Sequence, residues 1–192
     1  MAQGLVQAEL SRQRRHGAMG QLGPLSLEIF GDRGWEQAGT AARLFGQVSY
    51  GAPLDQVYRD ATVVMNVTSA QMPEGVNQRV FDVPQCGAFL LSDCQAELAD
   101  YFDLDREMAV FTANDALAEV AAHWLRRPLD RRAMVERAQR RIEAEHLFVH
   151  RLSKLVDQLR RDHGPMRFRG AAAVSPGKSP SRVHAAQPKA RA

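Results

Sequence analysis

Apolar residues follow two rhythms along this chain. Residues 62–67 (TVVMNV), 88–91 (AFLL) and 108–112 (MAVFT) are apolar at nearly every position, as in strands buried on both faces. Residues 25–30 (LSLEIF) form another expected strand, closed by a turn at Gly31, Asp32, Arg33 and Gly34 before Trp35. Residues 43–50 predict a further extended piece. Between these runs the spacing turns helical: residues 4–20, broken near Gly17 and Gly20; residues 53–61, opened by Pro53; and residues 95–102, capped by Ser92 and Asp93. Helices are also expected over 115–126, 130–144 and 145–161, the last with an apolar stripe at Leu152, Leu155, Val156 and Leu159.

Strands alternating with helices predict an α/β fold, a single doubly wound, Rossmann-like parallel sheet covered on both faces. The expected divisions are a helical lead-in over 1–24, the α/β domain with its C-terminal helices over 25–161, and a disordered basic tail over 162–192. Ligands of such sheets bind outside the carboxyl ends of the strands. Here those ends fall at residues 31–35, 68–75 and 92–93.

One segment touches that edge with an unusual density of polar groups: MPEGVNQRVFDVPQCGAFLLSD, residues 72–93. It reads as a loop, a helix of about three turns, a Cys-Gly stop and a short strand. Glu74 and Asp82 lie eight positions apart, a little over two turns at about 3.6 residues per turn, so both can border one cleft. Asn77 and Arg79 fall in the expected first turn, where free amides and the helix dipole favour an anion. The set suggests a nucleotide-diphosphate pocket. Bland readings stand beside it: Asn77 and Arg79 as cap and solvated charge, Asp82 bonded to backbone, Thr68 and Ser69 as strand terminators, and Trp35 as core.

Composition narrows the class. The formal charge of +3 conceals a split, because residues 163–192 carry six Lys/Arg and no acid, leaving 19 basic against 22 acidic residues before them. The tail is rich in Ala, Pro, Ser and Gly, the signature of disorder. Without aromatic interleaving it gives little reason to expect nucleic acid. No apolar run reaches the roughly 18–20 residues of a membrane span, and the N-terminus lacks the apolar stretch of a signal peptide. Cys86 and Cys94 form neither a CxxC pair nor part of a His cluster, which argues against a disulfide scaffold or structural zinc. His146 and His150 have i, i+4 spacing but no third ligand. A cytoplasmic protein with no metal and no resident cofactor is expected.

The run NVTSAQMPEGVNQRVFDVPQCGAFLLSDCQAELADYF resembles the C-terminal domain of CgeB-type spore-maturation proteins, which are related to group 1 nucleotide-sugar glycosyltransferases of the GT-B architecture. IFGDRGW at 29–35 and RRAMVERAQRRIEAEH at 131–146 extend the resemblance to roughly residues 25–160. It implies the donor-binding half of a GT-B fold, usually independent of metal. By resemblance Glu74 faces the donor sugar and Asp82 the ribose hydroxyls. The backbone amides of Gly75, Val76 and Asn77 hold the diphosphate, Arg79 adds charge to it, and Thr68 and Ser69 border it. The second acid is Asp rather than the superfamily's usual Glu, and Val76 and Asn77 replace its usual aromatic or glycine. The partners implied are a nucleotide-sugar and an N-terminal acceptor domain, in a longer chain or a separate protein. Expected function is glycosyl transfer once that half is supplied; the alternative is a non-catalytic, truncated module serving interaction or assembly.

Overall fold

The computed structural model describes residues 2–72, 74–113 and 115–164. The expected tail therefore lies almost wholly outside the described residues. The chain divides into two units, Met1–Arg151 and Leu152–Ala192.

The first unit is built in the order α1 (Ala2–Gln21), β1 (Glu28–Phe30), a 3₁₀ turn (Arg33–Ala38), β2 (Arg43–Phe45), α2 (Ala52–Asp60), β3 (Val64–Asn66), α3 (Arg79–Gln85) and β4 (Leu90–Asp93). There follow a second 3₁₀ turn (Ala96–Asp100), β5 (Ala109–Phe111), α4 (Leu117–Leu125), α5 (Pro128–Arg141), a π-helical turn (Ile142–His146) and α6 (Phe148–His163), which runs on into the second unit. All strand pairing is parallel, in two ladders: β1 with β2, and β3–β4–β5. Parallel neighbours need a crossover: the first 3₁₀ turn lies between β1 and β2, α3 between β3 and β4, and the second 3₁₀ turn between β4 and β5. The α/β architecture matches the expectation.

β4 is the central strand of the larger ladder and is buried on both faces, with Leu90, Leu91 and Ser92 at 3% exposure or less. Its side chains alternate between two cores. Phe89, Leu91, Ala109 and Phe111 pack with Ala18 and Met19 of α1, Leu22 just after it, Leu117 and Ala121 of α4, and Met134 and Val135 of α5. Ala88, Leu90 and Met108 pack on the other side with Tyr58 of α2, Val80, Phe81 and Val83 of α3, and Ala138 and Ile142. Helices thus cover both faces, which is why these strands read as unbroken apolar runs.

Several elements differ from expectation for local reasons. α1 runs unbroken through Gly17 and Gly20, because Ala18, Met19 and Leu22 bury its end against the sheet and outweigh the roughly 1 kcal/mol that a helical glycine costs. The helix expected over 95–102 is a short 3₁₀ turn, and the one over 145–161 begins only at Phe148, after the π-turn. At the β1 turn Asp32 accepts from the Gly34 amide at 2.8 Å. Gly31 has to be glycine there, since a Cβ would stand 2.6 Å from the Trp35 indole nitrogen.

Candidate functional site

The segment 72–93 forms a loop, a two-turn helix, a reversal and β4. α3 begins only at Arg79, because the Asn77 Oδ1 accepts from the Arg79 amide at 3.0 Å and turns the chain there. It ends early because Pro84 has no amide to continue the ladder. Gly87, at φ 83°, then reverses the chain, its amide donating to the Pro84 carbonyl at 2.8 Å. The three turns expected are therefore two. Asn77 precedes the helix rather than standing in its first turn, and Glu74 lies in the loop rather than on a shared helical face with Asp82. A helix of seven residues contributes little dipole.

What remains is a loop of unsatisfied donors. The amides of Val80, Phe81 and Asp82 donate to carbonyls of Asn77 and Gln78. Those of Gly75, Val76, Asn77 and Gln78 meet no acceptor among the described residues. Asn77 anchors this loop to the sheet, donating its Nδ2 to Oδ1 of Asn66 at 2.8 Å; Asn66, 1% exposed at the end of β3, donates in turn to Ser92 Oγ of β4 at 2.9 Å. Glu74 is exposed, and its carbonyl accepts from the Glu97 amide at 3.4 Å.

Two arginines meet at this edge. Arg79 opens α3. Arg15 comes from α1, half-buried, with its Nε directed to the Val67 carbonyl at 3.4 Å. Burial holds the Arg15 guanidinium below its ordinary pKa, the positive charge of Arg79 depresses it further, and Asp93 opposes the fall. Neither arginine makes a salt bridge among the described residues. Asp93 is itself engaged: its carboxylate accepts from the Thr68 amide at 3.0 Å, the Thr68 hydroxyl at 2.8 Å and Gln95 Nε2 at 2.7 Å.

Thr68 is thus held in the sheet edge, 2% exposed, with amide and hydroxyl both committed. Ser69 Oγ lies 3.0 Å from Ser11 Oγ of α1, and Ser11 Oγ accepts from the Ala70 amide at 2.9 Å, tying the loop after β3 to the lead-in helix. Asp82, on the outer side of α3, accepts from the Tyr50 hydroxyl at 2.6 Å, which in turn accepts from Gln78 Nε2 at 2.7 Å.

The structure therefore gathers Gly75, Val76, Asn77, Arg79 and Asp82 around one loop and helix start, with Thr68 and Ser69 fixed behind them. Sequence alone pointed to neither Arg15 nor Tyr50, and to Asp93 only as a helix cap at a strand end. A signal for Arg15 existed, since Ser11 and Arg15 fall at i, i+4 on the face of α1 that continues into Ala18, Met19 and Leu22. A separate cleft of about 480 Å³ lies at the amino ends of β3 and β4, lined by Arg59, Thr62, Gly87, Arg131, Arg132 and Glu136 among others. It is on the wrong side of the sheet for the site above.

Of the pair His146 and His150, spaced for a metal, His146 is engaged by its neighbours. His146 Nε2 lies 3.1 Å from the Tyr101 carbonyl, among the rings of Phe81, Tyr101 and Phe102. No helix among the described residues is long and apolar enough to cross a membrane.

Two solved structures share the fold. Sucrose-phosphate synthase (tll1590) from Thermosynechococcus elongatus superposes with a TM-score of 0.59 at 18% identity, covering 79% of this chain and 43% of that one. TarM superposes with a TM-score of 0.55 at 10% identity, covering 78% of this chain and 31% of that one. The chain thus spans less than half the length of either. No curated protein matches it. The glycosyl transferase-like family matches residues 10–157, most of the described chain, and with its parallel α/β fold and GT-B-like neighbours this protein belongs to that family.

Proposed function

We propose that this chain is the donor-binding part of a glycosyltransferase and holds a nucleotide-diphosphate sugar at the carboxyl ends of β3 and β4. The observation that supports this most directly is the loop 75–78, whose four amides meet no acceptor among the described residues, beside two guanidiniums without a carboxylate salt bridge. Convergent donors of this kind, half-buried at Arg15, Gly75, Val76 and Asn77 and exposed at Gln78 and Arg79, favour a multiply charged acceptor, and a diphosphate is one.

In this reading the amides of Gly75, Val76 and Asn77 hold the diphosphate and Arg79 neutralises charge on it as the glycosyl bond breaks. Asp82 accepts from the ribose hydroxyls. Glu74, exposed at the loop, faces the sugar. Thr68 and Ser69 border the pocket by fixing the loop after β3. The run VNQRVFDVPQCG favours the CgeB-type branch of the family. Transfer requires an acceptor-binding N-terminal domain, whether in a longer chain or a separate protein.

Calorimetric titration with UDP-, GDP- and TDP-linked sugars tests the reading. Binding of one of them, weakened by Arg79→Ala and by Asp82→Ala, is expected. Absence of binding at millimolar ligand would sink it. Binding that both substitutions leave unchanged would move the site elsewhere.

A further inference from the structure

Asp82 is already engaged by a hydroxyl that imitates a ligand. The Tyr50 hydroxyl donates to Asp82 Oδ2 at 2.6 Å, while Asp82 Oδ1 receives only a long contact, 3.5 Å, from Gln78 Nε2. Gln78 closes the triangle by donating to the Tyr50 oxygen at 2.7 Å. Tyr50 is 70% exposed, and its ring makes no aromatic contact among the described residues. Two hydrogen bonds hold it, not packing. It sits at the end of the stretch after β2, next to Gly51 at φ 92°, a backbone conformation that suits a glycine at the bend.

A ribose cis-diol presents two adjacent hydroxyls, and a carboxylate recognises it by accepting one on each oxygen. On Asp82 the Oδ1 is open to such a donor, while the Oδ2 already accepts from the phenol. We propose that the Tyr50 hydroxyl stands where one hydroxyl of a ribose cis-diol would sit, so that Tyr50 sets a preference of the site between ribonucleotides and 2′-deoxyribonucleotides. This deepens the nucleotide-diphosphate reading above and rests on it. A ribonucleotide must turn Tyr50 out into water to make its second bond. A 2′-deoxyribonucleotide has one hydroxyl for the carboxylate, uses Oδ1, and leaves Tyr50 in place. The phenol therefore opposes only the diol.

The test is calorimetric titration of the whole chain and its Tyr50→Phe variant with UDP and GDP and with their 2′-deoxy counterparts. Phenylalanine keeps the ring and removes the competing donor, and at so exposed a position it leaves folding intact. Tyr50→Phe is expected to tighten UDP or GDP by about two- to tenfold, the range one net hydrogen bond commands, and to leave the deoxy forms unchanged. On an Asp82→Ala background the same change should do nothing. Unchanged or weakened ribonucleotide binding overturns the proposal, and so does equal tightening of both sugar types. No binding of any nucleotide to any variant overturns the nucleotide reading and this inference together, whereas normal binding with no effect of Tyr50→Phe overturns this inference alone.

Discussion

The Asn77 side chain donates to Oδ1 of Asn66 at 2.8 Å, joining a surface loop to a residue that is 1% exposed at the end of a strand. Asn66 spends its own donor on Ser92 Oγ, and Asn77 spends its oxygen on the Arg79 amide. One chain of hydrogen bonds thus ties the loop 75–78 and the start of α3 to the ends of β3 and β4.

Asn77→Ala breaks this chain at its middle and leaves the buried Asn66 oxygen without its donor. The loss should be about 1–3 kcal/mol, a fall in Tm of roughly 2–12 °C for a domain of this size. Calorimetric melting measures it. Nucleotide-sugar affinity should fall as well, because the amides of Gly75 and Val76 lose their fixed direction. A variant that melts like the parent would show that the Asn66–Asn77 bond does not hold the loop.

Arg15 and Arg79 repel one another across the site, and the expected signature is opposite effects on stability and binding. Arg15→Met removes a partly desolvated charge, so the chain alone should melt at the same temperature or higher. UDP-sugar binding should weaken by about ten- to a hundredfold, the scale of a hydrogen bond to a charged group. A parallel loss of stability and affinity would instead mean that Arg15 is a structural residue.

Tyr50 should titrate late. Its bond to Asp82 is the main reason its phenol is pushed up to about 12. The folded chain binds this proton more tightly than the unfolded one, whose tyrosines ionise near ~10. The stabilisation is therefore complete below that ordinary value and disappears as pH rises towards about 12. Ultraviolet titration should show one tyrosine returning towards the ordinary range in Asp82→Ala. An identical alkaline curve for the two proteins would remove the Tyr50–Asp82 bond from solution.

The two cysteines should differ in reactivity. Burial, and then a hydrogen bond with Asp55, push the Cys86 thiol up to about 11, while Cys94 is exposed. Since the thiolate is the reacting form, iodoacetamide at neutral pH should modify Cys94 first. Asp55→Ala should speed Cys86 without equalising the two, because burial remains. Faster labelling of Cys86 than of Cys94 in the parent protein would contradict the placement of both.

Much of the fold was readable from the chain because its strands are buried on both faces. Runs such as TVVMNV and AFLL carry their environment in composition, and the helices between them carry a 3.6-residue period. The segment 72–93 stood out as a candidate site for the same reason, since polar groups at a strand's carboxyl end are conspicuous amid apolar runs. The helix within it was misjudged in length. An Asn side chain that caps from two residues ahead and a proline near the far end shortened it, and both act through specific bonds rather than periodicity.

The sequence by itself thus determined the alternation of strands and helices and the polar segment at the carboxyl ends of β3 and β4. Only the tertiary structure decided which groups meet there. Arg15 reaches Val67 across 52 positions, and Tyr50 reaches Asp82 across 32. Local pattern records which side of an element is buried, but it holds no information about the distant residue opposite. That pairing is set when the sheet and its covering helices pack, and in this protein it supplies the second arginine and the tyrosine on Asp82.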